Sequence, residues 1–141
     1  MTKAIVFSLA ILIILVQTVN SALTAGFTVH IIDALPNNDV PLSVHCESKD
    51  DDLGIKNLKV GDDFHFSFRG AVFGSTRFYC HFSWGSKTHF FDVFTTDMYK
   101  SRACGRISGN NYECFWKVQE DGFYFGGHNS GPYSKKFDWN V

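Results

Sequence analysis

The chain is 141 residues long, 45% hydrophobic and 16% aromatic, with a formal net charge of −1. Thirteen Lys and Arg against fourteen Asp and Glu leave no basic excess, which argues against nucleic acid or an anionic membrane as partner. The length fits one domain, and fifteen Phe, five Tyr and three Trp give it a large apolar payload.

The first segment reads MTKAIVFSLAILIILVQTVNSAL. Lys3 supplies a positive n-region. Ala4 to Val16, apolar apart from Ser8, has the length of an h-region and falls short of the ~20 residues a membrane span takes. Gln17 to Ala22 turns polar and small. Residues 1–22 are therefore expected to be a signal peptide, cut after Ser21 or Ala22, with no membrane insertion. Residues 23–141 are expected to form one secreted domain. No Asn-x-Ser/Thr sequon occurs, so no N-glycan is expected.

Beyond the leader the signal is alternation with period 2. FTVHI sets Phe27, Val29 and Ile31 against Thr28 and His30. PLSVHC sets Leu42, Val44 and Cys46 against Ser43 and His45. FHFSF, FYCHFSW, FFDVF, YECFWKV, GFYF and YSKKFDWNV continue the series. Tyr79, Phe91 and Phe115 fall on the outward parity, to be covered by a neighbouring element or offered to a partner. Turn signals separate the runs: PNNDVP, DDDLG, KVGDD, WGSK, GRISGNN, EDG and HNSGP. No stretch after the leader shows a helical period. The expected fold is all-β: a single small antiparallel β-sandwich of about seven or eight strands.

Cys46, Cys80, Cys104 and Cys114 make an even set, read as two disulfides in an oxidising compartment with three possible connectivities. Cys46 and Cys114 both look like strand interiors that could meet across the sandwich. That favours Cys46–Cys114 with Cys80–Cys104.

Three kinds of chemistry come into question. Asp50, Asp51 and Asp52 lack the spacing and the later Glu of an EF-hand, so HCESKDDDLG reads as a structural turn, with the chain reversing at Gly54. His30, His45, His65 and His81 share the polar parity of their strands, and strand pairing could bring two of them together. No zinc-type spacing singles them out, so no metal or cofactor is expected. No nucleophile elbow occurs and no reduced cysteine is available, so no catalytic residue is assigned and the chain is not expected to be an enzyme.

The stretches VHCESKDDDLG (44–54), VGDDFHFSF (60–68), TRFYCHFSW (76–84), FFDVF (90–94) and CFWKVQEDGFYF (114–125), in this order and spacing, resemble the plant self-incompatibility proteins and their S-protein homologues. The four cysteines fit that family's pattern. The resemblance implies a small secreted plant protein with a β-sandwich domain. It implies an extracellular signalling ligand that engages a membrane receptor or other extracellular protein, as the pistil proteins that reject pollen do. The alternative is a secreted hydrolase or defence effector using a histidine site; two histidines and a carboxylate in a deep pocket would favour it. The protein is expected to be monomeric. Recognition is expected in the loops 33–39, 69–76, 95–103 and 126–132, with Asn37, Asn38, Arg69, Arg77, Tyr99, Lys100 and Arg102 as candidate residues and the 95–103 loop foremost.

Overall fold

A computed structural model describes residues 2–71 and 74–141. The helix α1 (Thr2–Leu23) precedes the domain with its described apolar side chains in solvent, Phe7 being 71% exposed. No helix among the described residues is long and apolar enough to cross a membrane. The strands are β1 (Gly26–Asp33), β2 (Leu42–Glu47), β3 (Asp52–Leu58), β4 (Asp63–Arg69), β5 (Arg77–Trp84) and β6 (Lys87–Thr95). A five-residue helix α2 (Thr96–Lys100) follows, then β7 (Gly105–Ser108), β8 (Asn111–Gln119), β9 (Gly122–Gly126) and β10 (Ser134–Phe137).

Two sheets stack on one core. The first has the order β10-β9-β8-β1-β4, with β7 pairing onto β8; the second has the order β3-β2-β5-β6. Alternation along the strands turns one parity inward. Val29 and Ile31, Leu42 and Val44, Phe82, Val118 and Phe123 are sealed between the sheets. Ring contacts bind the layers, such as Phe27 with Phe94 at 4.5 Å and Phe82 with Phe123 at 4.9 Å.

Among the described residues the strands number ten, not seven or eight. The additional strands are β3 and β7, whose sequences read as turns. β3 shows no clean alternation of burial, and β7 is four residues long and largely exposed. The expected antiparallel sandwich also needs one correction. β1 and β8 pair in parallel, Val29 opposite Cys114, because the chain crosses to the second sheet and returns before β8 begins. The parity reading of Phe91 is corrected as well. A register shift between β5 and β6 turns Phe91 inward against Phe82 and Trp116 and leaves Phe90 outside. Phe115 does face outward, but the His30 ring stacks on it at 4.4 Å and covers it.

The expected disulfide pairing is overturned. Cys46 bonds to Cys80, and Cys104 bonds to Cys114. Both bridges join neighbouring strands of one sheet. Cys46 and Cys80 are register partners on β2 and β5, with Cα atoms 4.0 Å apart. Cys104 lies beside β8 because Gly105 pairs with Glu113. A Cys46–Cys114 bridge would have to span stacked sheets about 10 Å apart, whereas bridged Cα atoms seldom exceed about 6.8 Å.

HCESKDDDLG is a structural hairpin, but the reversal lies earlier than Gly54. The Ser48 N–H donates to the Asp51 carbonyl, and the Asp51 N–H donates to Ser48 Oγ. Gly54 sits inside β3 at φ +76, where Leu53 and Gly54 together oppose Cys46 in a bulge. A side chain there would meet no neighbour, so only the backbone conformation selects glycine. Gly54→Val should therefore destabilise the fold by ~1 kcal/mol or more, read from the urea midpoint. An unchanged midpoint would remove the bulge from the account.

Candidate functional site

Strand register gathers most of the candidate recognition residues at one end of the sandwich. Gly26, opening β1, faces Arg69 at the end of β4 and Asn111 at the start of β8. In the second sheet Arg77, opening β5, pairs with Thr95 at the end of β6. A shared cleft lined by Phe27, Gly70, Thr76, Thr96 and Tyr99 joins these ends. Asn37 and Asn38 lie at the opposite end and act as fasteners. The Asn37 side-chain oxygen accepts from the Asp39 N–H, and that of Asn38 accepts from the Val60 N–H at 2.7 Å. Val72 and Phe73 of the 69–76 loop lie outside the described residues.

The 95–103 segment, read as a loop, is capped helix. Thr95 takes extended geometry and its Oγ1 accepts from the Met98 N–H, satisfying one free donor of α2. Five residues are too few to display a helical period in the sequence. At the other end the Ala103 N–H reaches the Met98 carbonyl and the Arg102 N–H the Tyr99 carbonyl, which is a Schellman stop. The position after the cap in this motif takes a left-handed backbone and is usually glycine. Here it is Arg102, at φ 62, and among the described residues it is the one non-glycine with positive φ.

This turn builds one wall of an open groove of about 730 Å³, lined by Tyr99, Lys100, Arg102, Cys104, Gly105, Arg106, Tyr112 and His128. The Cys104–Cys114 bridge fixes its floor to β8. The 126–132 loop closes the far wall, where the Gly105 N–H donates to the Gly127 carbonyl. A Cβ at Gly105 would strike that carbonyl, and one at Gly127 would crowd the Ala103 carbonyl. Tyr99 packs edge-on to Phe27 and Tyr112, at 5.1 and 5.0 Å. Its hydrogen bond with Tyr112, together with burial, holds its phenol above the usual range.

The groove is cationic. The ion pairs of Arg and Lys among the described residues are Arg77–Asp92, Lys135–Asp121 and Lys135–Asp138, which leaves Lys100, Arg102 and Arg106 without a carboxylate. Arg106 is steadied by donating to the Gly109 carbonyl at 2.7 Å. Arg69 lines a neighbouring groove with Thr28, Ser108 and Tyr112 at the same end. Arg77 is committed to Asp92 and to the face of Tyr79, 4.6 Å away. Of the candidate residues, Tyr99, Lys100 and Arg102 converge; Arg106, Tyr112 and His128 were missed. His128 lay in a candidate loop, but only strand pairing reveals that the loop meets β7.

The histidines pair as their shared parity allowed: His30 faces His65 across β1 and β4, and His45 faces His81 across β2 and β5. Among the described residues two carboxylate-bearing clusters stand there: His30–Asp63–His65, built on the first pair, and His45–Glu47–Asp52, which His81 does not join. In the second, His45 Nε2 lies 2.7 Å from Asp52 Oδ1, and this hydrogen bond raises the imidazole pKa above its ordinary value. The Gly54 N–H, and then His45, hold Asp52 below the usual carboxylate range. In the first, Asp63 and His65 are 39% and 58% exposed, so the cluster lies on an open sheet face rather than in a deep pocket.

Two stacked sheets, two bridges that each staple neighbouring strands, and loops carrying the groove define a small disulfide-bonded β-sandwich of the kind found in oxidising compartments. The chain belongs to the plant self-incompatibility protein S1 family, whose model matches residues 28–139. It is 37% identical to S-protein homolog 2 of Arabidopsis thaliana over 99 residues, covering 70% of this chain and 59% of that protein. It is 38% identical to self-incompatibility protein S1 of Papaver rhoeas over 87 residues, 62% of this chain and 59% of that one. The match to S-protein homolog 3 of Arabidopsis covers 63% of that relative, so the chain spans about three fifths of the length of these relatives. A solved structure of a self-incompatibility protein homologue superposes with a TM-score of 0.58 at 17% identity, over 83% of this chain and 96% of the other. Its family is described as small, highly stable, secreted plant proteins, and the present chain is a secreted member of the self-incompatibility family.

Proposed function

We propose that this protein is an extracellular signalling ligand, monomeric once its leader (residues 1–22) is removed, that binds an acidic segment of a membrane receptor or other extracellular protein through the α2 groove. The observation that carries the reading is Arg102. A left-handed non-glycine residue costs about 1–2 kcal/mol, and the motif it occupies ordinarily takes glycine. Backbone strain of this sort persists where function uses the side chain. Lys100 and Arg106 flank it without carboxylates, and Tyr99 and Tyr112 add the rigid aromatic surface that anchors interfaces. The hydrolase alternative is not favoured, because the two-histidine cluster stands on an open face.

Arg102→Gly separates stability from recognition. The variant should unfold at a higher urea concentration, by up to about 1 kcal/mol, because the strain is relieved. It should also bind plasma-membrane vesicles from the source plant more weakly. A variant that is more stable and binds as well as the native protein would show that Arg102 is only a helix stop.

A further inference from the structure

We infer that His30, Asp63 and His65 form a zinc site on the outer face of the first sheet. The register places His30 of β1 directly opposite His65 of β4, with Asp63 two residues before it on the same face. One ligand atom from each of the three lies within 4.8 Å of the others. Ligand atoms of a tetrahedral zinc with bonds of about 2.0–2.1 Å stand roughly 3.3 Å apart, so small side-chain adjustments complete the set. Asp63 and His65 are exposed enough to make them. Two imidazole nitrogens and a carboxylate suit a borderline divalent transition metal and not calcium, which takes oxygen ligands.

The second observation is the unused nitrogen of His30. The ring is held between Phe115, stacked at 4.4 Å, and His65 at 5.2 Å. Nδ1 lies 2.8 Å from Asp63 Oδ2. Nε2 is buried and has no hydrogen-bond partner, and Glu113 Oε1 stands 3.9 Å from it. A buried polar atom left unpaired is destabilising. Zinc at Nδ1 places the imidazole proton on Nε2, where Glu113 can close on it and accept. That is the carboxylate–histidine–metal arrangement by which outer carboxylates orient metal-bound histidines. His30 thus ties a metal position to a waiting outer carboxylate. The other cluster has one histidine to offer where this one has two. With three protein ligands the zinc keeps a fourth position open to water or to a side chain of a partner.

The test is calorimetric titration of zinc chloride into chelator-treated, tag-free protein collected from the medium of a secreting host. One zinc per chain is expected. His65→Ala and Asp63→Asn, both at exposed side chains, should each weaken binding by tenfold or more, and Glu113→Gln by about tenfold. His45→Gln should leave it unchanged. Urea midpoints in the absence of metal confirm that each variant is folded. No zinc binding by the native protein, binding that survives His65→Ala, or binding lost in His45→Gln would each overturn the site.

Discussion

Replacing Cys46 and Cys80 together by alanine is expected to cost about 4 kcal/mol, and replacing Cys104 and Cys114 about 3 kcal/mol, by the chain-entropy estimate for their loops. The first pair is separated by 34 residues in sequence and the second by 10, so the first bridge removes more freedom from the unfolded chain. The two losses should differ in kind as well. Cys46 and Cys80 are fully buried within the second sheet and do not line the α2 groove, so their removal should act through stability alone. Cys104 is part of the groove, so losing its bridge should loosen recognition in protein that remains folded. Urea unfolding of both double variants gives the order, and peptide mapping of unreduced protein gives the linkages. A larger loss from the Cys104–Cys114 pair, or a peptide joining Cys46 to Cys114, would contradict the fold as described.

Reversing the charge at Lys100 and Arg102 together is expected to weaken partner binding by about a hundredfold or more. Truncating one member of a desolvated charge pair costs about 2–5 kcal/mol, and 1.4 kcal/mol is a factor of ten. Both residues are exposed and lack a carboxylate partner, and glutamate at 102 keeps the same backbone strain, so the fold should keep its stability to within about 0.5 kcal/mol, read from the urea midpoint. Native binding should also weaken as salt is raised from low to physiological strength, because the contact is charged. Loss of binding accompanied by unfolding would make the effect uninformative about charge, so the midpoint is measured on the same preparation. Binding that survives the reversal in folded protein contradicts the groove.

Legibility in the sequence followed amphipathicity. β1, β2 and β5 alternate because each buries one face, β8 does so except where His30 covers Phe115, and Val29, Val44, Phe82 and Val118 could be placed inward from the chain alone. β3 and β7 lie at sheet edges with little to bury, so no pattern marks them. Parity put Cys46, Cys80 and Cys114 on inner faces without saying which sheet each belongs to, and the pairing turned on that. Phe91 escaped because a bulge changes parity in mid-strand, which only the neighbouring strand reveals. The groove was half legible. Tyr99, Lys100 and Arg102 share one segment, whereas Arg106, Tyr112 and His128 reach it through the β7–β8 hairpin and the loop after β9. The same dependence on register hid the His30–His65 pair, since neighbours across strands leave no short spacing in the chain.

The claim that recognition belongs to one end of the sandwich is tested most directly by saturation binding to plasma-membrane vesicles from the source plant. Three folded proteins are compared: native, Lys100→Glu with Arg102→Glu, and Asn37→Ala with Asn38→Ala at the opposite end. Saturable binding that is lost in the charge-reversed protein and retained in the asparagine variant is the predicted result. Binding retained after charge reversal and lost on changing Asn37 and Asn38 would place recognition at the other end and contradict the account.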